Sequence, residues 1–135
     1  MKERDLQLLE LRPLIPSAQT AENTRPDELF QNKTLRPVIK LQNDLLVEAF
    51  RNYIQKHKNV FHDFSVEKKL NYIENAIQKD IKFRNSLKGM IIGLFTLEEY
   101  RIYIQNSSAL NKRMMNLVTE RIKSNIQLLE AQPAV

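Results

Sequence analysis

Cysteine and tryptophan are absent from this sequence of 135 residues, and glycine occurs only twice. Without cysteine the chain forms no disulfide and offers no thiolate to a metal, an iron–sulfur cluster or a substrate. This absence fits a reducing compartment, so we expect a cytoplasmic protein. Two glycines cannot supply the glycine-rich loops that bind nucleotide phosphates, and neither nucleotide fingerprint is present.

The scarcity of helix-breaking residues indicates the fold class. Four of the five prolines lie within the first 37 residues, and leucine, isoleucine, asparagine, glutamine and lysine dominate the rest of the chain. Such a composition favours helix over sheet, and no Asn-Gly hairpin signal occurs. We predict one all-α domain: a helical bundle of three long helices plus one or two short ones, with an extended N-terminal arm.

Long hydrophobic runs are also missing, apart from Leu87–Phe95. As a helix this run would span about 14 Å, under half of the ~30 Å hydrocarbon layer, so it cannot cross a membrane. The start, Met1–Asp5, contains acidic residues and no apolar segment follows it. We therefore expect no signal peptide and no membrane partner.

Proline and polar residues separate an arm from the body of the chain. We assign residues 1–23 to the N-terminal arm and residues 24–132 to the helical domain. Within the arm, Leu6–Leu11 could form one or two helical turns or an edge strand, and Pro13 and Pro16 would stop either one.

Hydrophobic periodicity and capping signals place the helices. The first long helix should run from Thr34 to about residue 57. The apolar residues in 65–95 keep one helical phase, which predicts a single long helix. Two helices are the alternative, because Asn85-Ser86 and the glycines could bend a single one. Thr96-Leu-Glu-Glu99 matches the capping box and opens a short helix to Gln105. Ser107 or Ser108 should cap the last long helix, which ends near Glu130.

The apolar run is the first candidate functional region. In the helical phase both glycines fall on an otherwise polar side and leave a shallow groove, where a crossing helix or a partner backbone could approach closely. The surplus apolar surface is either internal core or a homo-oligomer interface, and the sequence leaves both readings open. The interface candidates are Leu87, Gly89, Met90, Ile91, Gly93, Leu94 and Phe95.

Polar residues inside the apolar stripes form a second candidate group. An unpaired buried polar group costs several kcal/mol, so each should find a partner or reach solvent. Two arginines in such a cluster could hold a carboxylate or a phosphate. The alternative is an Asp80–Arg84 helix pair and arginines that extend to the surface. The members of this buried polar cluster are Gln42, Asp80, Arg84, Arg121 and Asn125.

Net charge is +5, with a pI near 9.5. Basic residues Lys68, Lys79 and Lys82 share a helix face with asparagine and glutamine, and such a face could contact a phosphate backbone. The face has no arginine cluster and no interleaved aromatic residues in the sequence, so a solvated helix surface is the alternative.

Catalytic and metal-binding patterns are not evident. His57 and His62, the two histidines, flank a turn near Asp63 and Glu67, but their spacing matches no established ligand pattern. A histidine bound to the last carbonyl groups of a helix explains His57 equally well. We predict no catalytic residue, no metal ligand and no cofactor.

Four segments resemble a set of small bacterial proteins that are often labelled glyoxalase: residues 30–37, 40–45, 89–96 and 111–115. The resemblance covers roughly residues 30–130 and implies a helical family. Glyoxalase I enzymes are built from βαβββ units around a metal held by histidine and glutamate. This chain has no strand-rich half and no such ligand set, so no catalytic residue is carried over.

These observations together favour a non-enzymatic helical protein that self-associates or binds a protein partner through apolar helix surface. The alternatives are a nucleic-acid-associated module that uses the basic helix face, and the binding of a small anion or metabolite at Arg84 and Arg121.

Overall fold

The computed structural model describes residues 2–15 and 24–130, and within these ranges the chain is helical and contains no β-strand. The predicted all-α class is confirmed. The α-helices are α1 (Glu3–Leu11), α2 (Pro26–Phe30), α3 (Arg36–Leu41), α4 (Asn43–Lys56), α5 (Val66–Lys79), α6 (Ile81–Ile92), α7 (Leu97–Gln105) and α8 (Ser107–Ser124). Gln31–Leu35 is a π-helical segment, and Val60–Asp63 and Ile126–Leu129 are 3-10 turns.

The first long helix begins earlier than predicted and is interrupted. Helical winding runs from Pro26 through the π segment into α3, and a turn at Gln42 separates α3 from α4. Pro37 has no N–H, and its ring would clash with the carbonyl of Lys33 in a regular α-helix. The wider π turn lies immediately before this proline. The predicted start at Thr34 is therefore wrong, since Thr34 lies within the π segment and is buried.

Residues 65–95 form two helices, the second of the alternatives left open by the sequence. The backbone of Asp80 leaves the helical region with ψ of 97°, and its Oδ1 accepts a hydrogen bond from the Phe83 N–H at 3.2 Å. Asp80 is thus the N-cap of α6. Ser65 caps α5, because its hydroxyl accepts a hydrogen bond from the Lys68 N–H.

The capping box predicted for α7 is confirmed. The Glu99 N–H donates to Thr96 Oγ1 at 3.2 Å, and the Thr96 N–H donates to Glu99 Oε1 at 2.8 Å. Helix α8 begins at Ser107 after Asn106, without a side-chain cap, so the predicted serine cap is not formed. Helix α8 ends at Ser124 and not near Glu130 as predicted, since the chain continues as the 3-10 turn Ile126–Leu129.

The predicted N-terminal arm is helical where it is described. Residues 3–11 form α1, which confirms the helical alternative for Leu6–Leu11 and replaces the extended chain that we expected. Residues 16–23 of the arm lie outside the described residues, as do 131–132 of the predicted domain. The division at residue 23 stays a prediction.

The core lies around α8, which packs against α3, α4, α5, α6, α7 and the π segment. Its inward positions Met114, Val118 and Ile122 have no exposed surface. Phe50 of α4, also fully buried, is at the centre of an aromatic cluster. The rings that contact Phe50 belong to Tyr53, Phe61, Tyr72 and Phe83.

Replacing Phe50 by alanine should lower the free energy of unfolding by about 3–5 kcal/mol, because a large buried ring is lost and the surrounding rings cannot fill the space. Leu45→Ala is the matched control on the same helix, since Leu45 is 47% exposed. Urea unfolding followed by circular dichroism measures both. Equal losses in the two variants would contradict the position of Phe50 in the core.

Candidate functional site

The apolar run contributes mainly to the core of its own chain. Leu87, Ile91 and Phe95 are almost fully buried, while Met90 and Leu94 are half-buried. Gly89 and Gly93 are exposed. A Cβ added at Gly89 would meet nothing within 4 Å, so no described segment lies over the predicted groove. A Cβ at Gly93 would lie 3.0 Å from the carbonyl oxygen of Gly89.

The predicted buried polar cluster is dispersed in the fold. Gln42 donates to the Met90 carbonyl oxygen at 2.8 Å, and Asn125 donates to Asn43 Oδ1 and to the Arg121 carbonyl oxygen at 2.8 Å each. These are structural contacts that satisfy turn and helix ends. No buried side-chain nitrogen or oxygen in the described part of the chain lacks a hydrogen-bond partner.

Arg84 and Arg121 line different surface depressions. Arg84 lies with Lys112 and Glu74 in a depression of about 420 Å³. Arg121 lies with Arg36 and Lys40 in another of about 520 Å³. Each depression also contains Glu120. The two guanidinium groups therefore do not form one anion site, and within the described residues Asp80 and Arg84 form no ion pair.

The predicted basic face is solvent-exposed at all three lysines, Lys68, Lys79 and Lys82. Lys79 and Lys82 stand at the rim of a third groove, while Lys68 does not line it. The groove has a volume of about 710 Å³ and a predominantly apolar lining. Its lining residues are Tyr53, His57, Tyr72, Asn75, Ala76, Lys79, Asp80, Ile81 and Lys82. Two aromatic residues therefore lie beside the lysines, Tyr53 from the end of α4 and Tyr72 from the middle of α5. The sequence analysis found no aromatic residues on the basic face itself.

Three rings are stacked at one end of this groove. The Tyr53 ring lies 4.3 Å from the Phe83 ring and 3.9 Å from the His57 ring, at interplanar angles of 30° and 21°. His57 Nδ1 is 2.8 Å from the Tyr53 carbonyl oxygen. Because a carbonyl only accepts, Nδ1 carries a proton in this contact. The helix-end interpretation of His57 is confirmed.

Asp80 joins the stack to the groove. Its Oδ2 accepts a hydrogen bond from the Tyr53 hydroxyl at 3.1 Å and lies 4.0 Å from His57 Nε2. Burial of Tyr53, together with its hydrogen bond to Asp80, raises the pKa of the phenol to about 12. Tyr53 therefore stays a neutral donor at physiological pH. The i, i+4 spacing of Tyr53 and His57 was a sequence signal for their contact, but Asp80 is too distant in sequence to be recognised.

Helix α1 is attached to the turn between α6 and α7 by charged side chains. Arg12 donates to both carboxylate oxygens of Glu99, at 2.7 and 2.6 Å, and to the Leu94 carbonyl oxygen at 3.1 Å. The Thr34 hydroxyl donates to Glu99 Oε2 at 2.7 Å. The side chains of Arg12 and Glu99 are only 8% and 15% exposed. A bidentate pair at this depth orients both helices.

Two further residues of α1 extend this attachment. Arg4 donates to the carbonyl oxygens of Gly93 and Phe95, at 3.0 Å each. The carboxylate of Asp5, which is buried, accepts from the Leu97 N–H at the start of α7. Arg4, Asp5 and Arg12 are therefore directed toward the turn between α6 and α7, and three of the four leucines of α1 are exposed.

The largest group of exposed apolar side chains lies on these two helices. Eight of the thirteen large apolar residues exposed in the described part of the chain belong to α1, to the residues just after it, or to α7. We call them the α1–α7 surface: Leu6, Leu9, Leu11, Leu14, Leu97, Tyr100, Ile102 and Ile104. Sequence analysis missed this surface, although Leu97, Tyr100 and Ile104 recur at helical spacing.

Residues 2–15 and 24–130 contain no group of three or more histidine, aspartate or glutamate side chains arranged for a metal ion. Among the described helices, none combines the length and apolar character that crossing a bilayer requires.

Comparison of the chain with protein-family models, curated proteins and solved structures returns no match. The resemblance to the glyoxalase-labelled proteins therefore stays a prediction.

Replacing Arg12 by alanine should lower the free energy of unfolding by about 3 kcal/mol, because the buried Glu99 carboxylate loses its charged partner. Helix α1 has nine residues, too few to be stable alone in water, so hydrogen exchange of its amides should also accelerate. Lys123→Ala is the control, since it removes a more exposed ion pair to Glu74. A loss of stability no greater than in that control would contradict the role of Arg12.

The Glu99 pair should also make stability depend on pH. Burial opposes ionisation of Glu99, but hydrogen bonds from Arg12, the Thr96 backbone and Thr34 outweigh it and lower the pKa below the ordinary 4.5. The stabilisation is therefore complete above the ordinary pKa and is lost as pH falls through the lower, folded-state pKa. Unfolding of wild type and Glu99→Gln between pH 7 and 3 should give a stability difference that shrinks at the acid end. A constant difference would refute this.

Proposed function

We propose that this protein is a non-enzymatic helical module that self-associates through the α1–α7 surface. The observation that supports it is the concentration of exposed apolar residues on two helices, of which α1 directs Arg4, Asp5 and Arg12 toward the turn between α6 and α7. Monomeric proteins rarely expose large contiguous apolar patches unless they bind something there. The proposal moves the interface from Leu87–Phe95, where Leu87, Ile91 and Phe95 are occupied by the core.

The occupant that we propose is a second copy of the chain. The eight side chains of the α1–α7 surface are 40–93% exposed, and fully burying one leucine or isoleucine side chain contributes roughly 1.5–3 kcal/mol. A symmetric dimer covers the same residues on both copies, so each contribution counts twice.

The charges beside this surface are compatible with a second copy. Glu3 and Glu10 are exposed on α1, and Arg101 is exposed on α7 beside Tyr100. Arg4 of α1 and Glu98 of α7 are exposed as well, so each helix offers both signs of charge. If α1 of one copy packs against α7 of the other, Glu10 can therefore approach Arg101 and Arg4 can approach Glu98. Complementary charges at the rim of an apolar contact favour the correct pairing over others.

Introducing a charge into the surface should prevent association. Wild type should have the mass of a dimer, twice 15.9 kDa, in light scattering coupled to gel filtration. Leu6→Glu and Ile104→Glu should each shift it to the monomer mass, because a carboxylate cannot be buried unpaired in an apolar contact. Val66→Glu is the matched control, since Val66 is 65% exposed on α5.

Two results would overturn the proposal. One is a strict monomer for wild type at high protein concentration. The other is a dimer that Val66→Glu disrupts as strongly as the two surface variants do. Thermal unfolding of each variant separates loss of the interface from loss of the fold, since exposed substitutions change stability by only about 0.5 kcal/mol.

A further inference from the structure

The ring stack of Phe83, Tyr53 and His57 is open at one end. Phe83 and His57 both stack on Tyr53 and make no ring contact with each other, so they cover opposite faces of the phenol. The imidazole is the outer member, and its side chain is 48% exposed. Among the described rings, only Tyr53 stacks on it. Since His57 also lines the groove, another planar ring can approach the imidazole from there.

The groove beside this ring is shallow and open to solvent, with a mostly apolar lining. Its volume of about 710 Å³ is sufficient for a small ligand that keeps one side in contact with water. Ile81 and Ala76 supply apolar wall, and Tyr72 adds a second aromatic side chain. Asn75 offers an amide that can both donate to and accept from the edge of a heteroaromatic ring. The Ile81 side chain is 60% exposed, so a ligand in the groove could cover apolar surface that otherwise faces solvent.

The charges around the groove select the sign of the ligand. Lys79 and Lys82 line it and are exposed. Asp80 is the one acidic residue in the lining, and both of its oxygens are engaged, Oδ1 by the Phe83 N–H and Oδ2 by the Tyr53 hydroxyl. The two ammonium groups have no ion-pair partner among the described residues. Asp80 keeps its negative charge, but two lysines against one carboxylate leave an excess of positive charge, which favours an anionic group at this rim.

We propose that this groove binds a planar heteroaromatic ring that carries a phosphate, the chemistry of a nucleotide. The ring stacks on the outer face of His57, and the phosphate lies between Lys79 and Lys82. Stacking on an aromatic side chain beside a basic rim is how proteins hold unpaired bases. The ligand source is either a free nucleotide or an unpaired base of a single-stranded nucleic acid. This site shares no residue with the α1–α7 surface, so the two proposals stand or fall separately.

The two histidines allow a direct test by NMR. Titration with adenosine 5′-monophosphate should shift the imidazole signals of His57, because of the ring current of the stacked base. The His62 signals serve as an internal control and should stay in place, since His62 lies outside the groove lining. Adenosine, which lacks the phosphate, and ribose 5-phosphate, which lacks the base, should each bind more weakly than the nucleotide.

Variants that remove side-chain charges test whether the lysines at the rim of the groove bind the phosphate. The double variant Lys79→Gln/Lys82→Gln should weaken nucleotide binding about tenfold, because two exposed charge contacts are lost. Lys68→Gln should leave it unchanged, since Lys68 is on the same helix as Lys79 but outside the groove. His57→Ala should remove the advantage of the nucleotide over ribose 5-phosphate while the fold, followed by circular dichroism, is retained.

The source of the ligand is decided by comparing adenosine 5′-monophosphate with a short single-stranded oligoadenylate. Tighter binding of the oligonucleotide with a steeper salt dependence identifies a single strand, whereas equal affinity per base identifies the free nucleotide. The proposal is overturned if neither ligand moves the His57 signals at millimolar concentration. It is equally overturned if ribose 5-phosphate binds as well as the nucleotide, or if Lys68→Gln weakens binding as much as the double variant.

Discussion

The carboxylate of Glu99 is the interaction on which the arrangement of the N-terminal half of the chain depends. It accepts both hydrogen bonds of the Arg12 fork, one from the Thr34 hydroxyl and one from the Thr96 backbone. Four donors satisfy a carboxylate that is removed from water, which is the condition for burying it. Through this one group, α1, the π segment and the start of α7 are held in a single geometry.

The orientation of α1 has a consequence for the surface of the molecule. Because Arg4, Asp5 and Arg12 face the turn between α6 and α7, Leu6, Leu9 and Leu11 are left exposed. An amphipathic helix ordinarily buries its apolar side and exposes its charges. Here part of that relation is inverted, and the exposed leucines of α1 add to the exposed Leu97, Tyr100, Ile102 and Ile104 of α7. The proposed self-association follows from this inversion.

The other candidate region arises where two helix ends meet. Helix α4 ends at Lys56, and the break at Asp80 separates α5 from α6. Asp80 caps α6 and accepts from Tyr53, so the same residue ends one helix, begins the next and fixes the ring on which His57 stacks. Lys79 and Lys82, on either side of the break, are placed at the rim by that geometry. The helix break therefore creates the groove.

Local signals in the sequence determined the helical class and the Thr96–Glu99 capping box, since each depends on residues within about one helical turn. Tertiary structure alone decided that Arg12 meets Glu99, that the apolar run is largely core, and that Tyr53 and Tyr72 lie beside the lysines. It also dispersed the predicted polar cluster, because Arg84 and Arg121 point into separate depressions. Contacts between residues distant in sequence depend on how the helices pack, and helical periodicity gives the side that each helix buries but not the neighbour it meets.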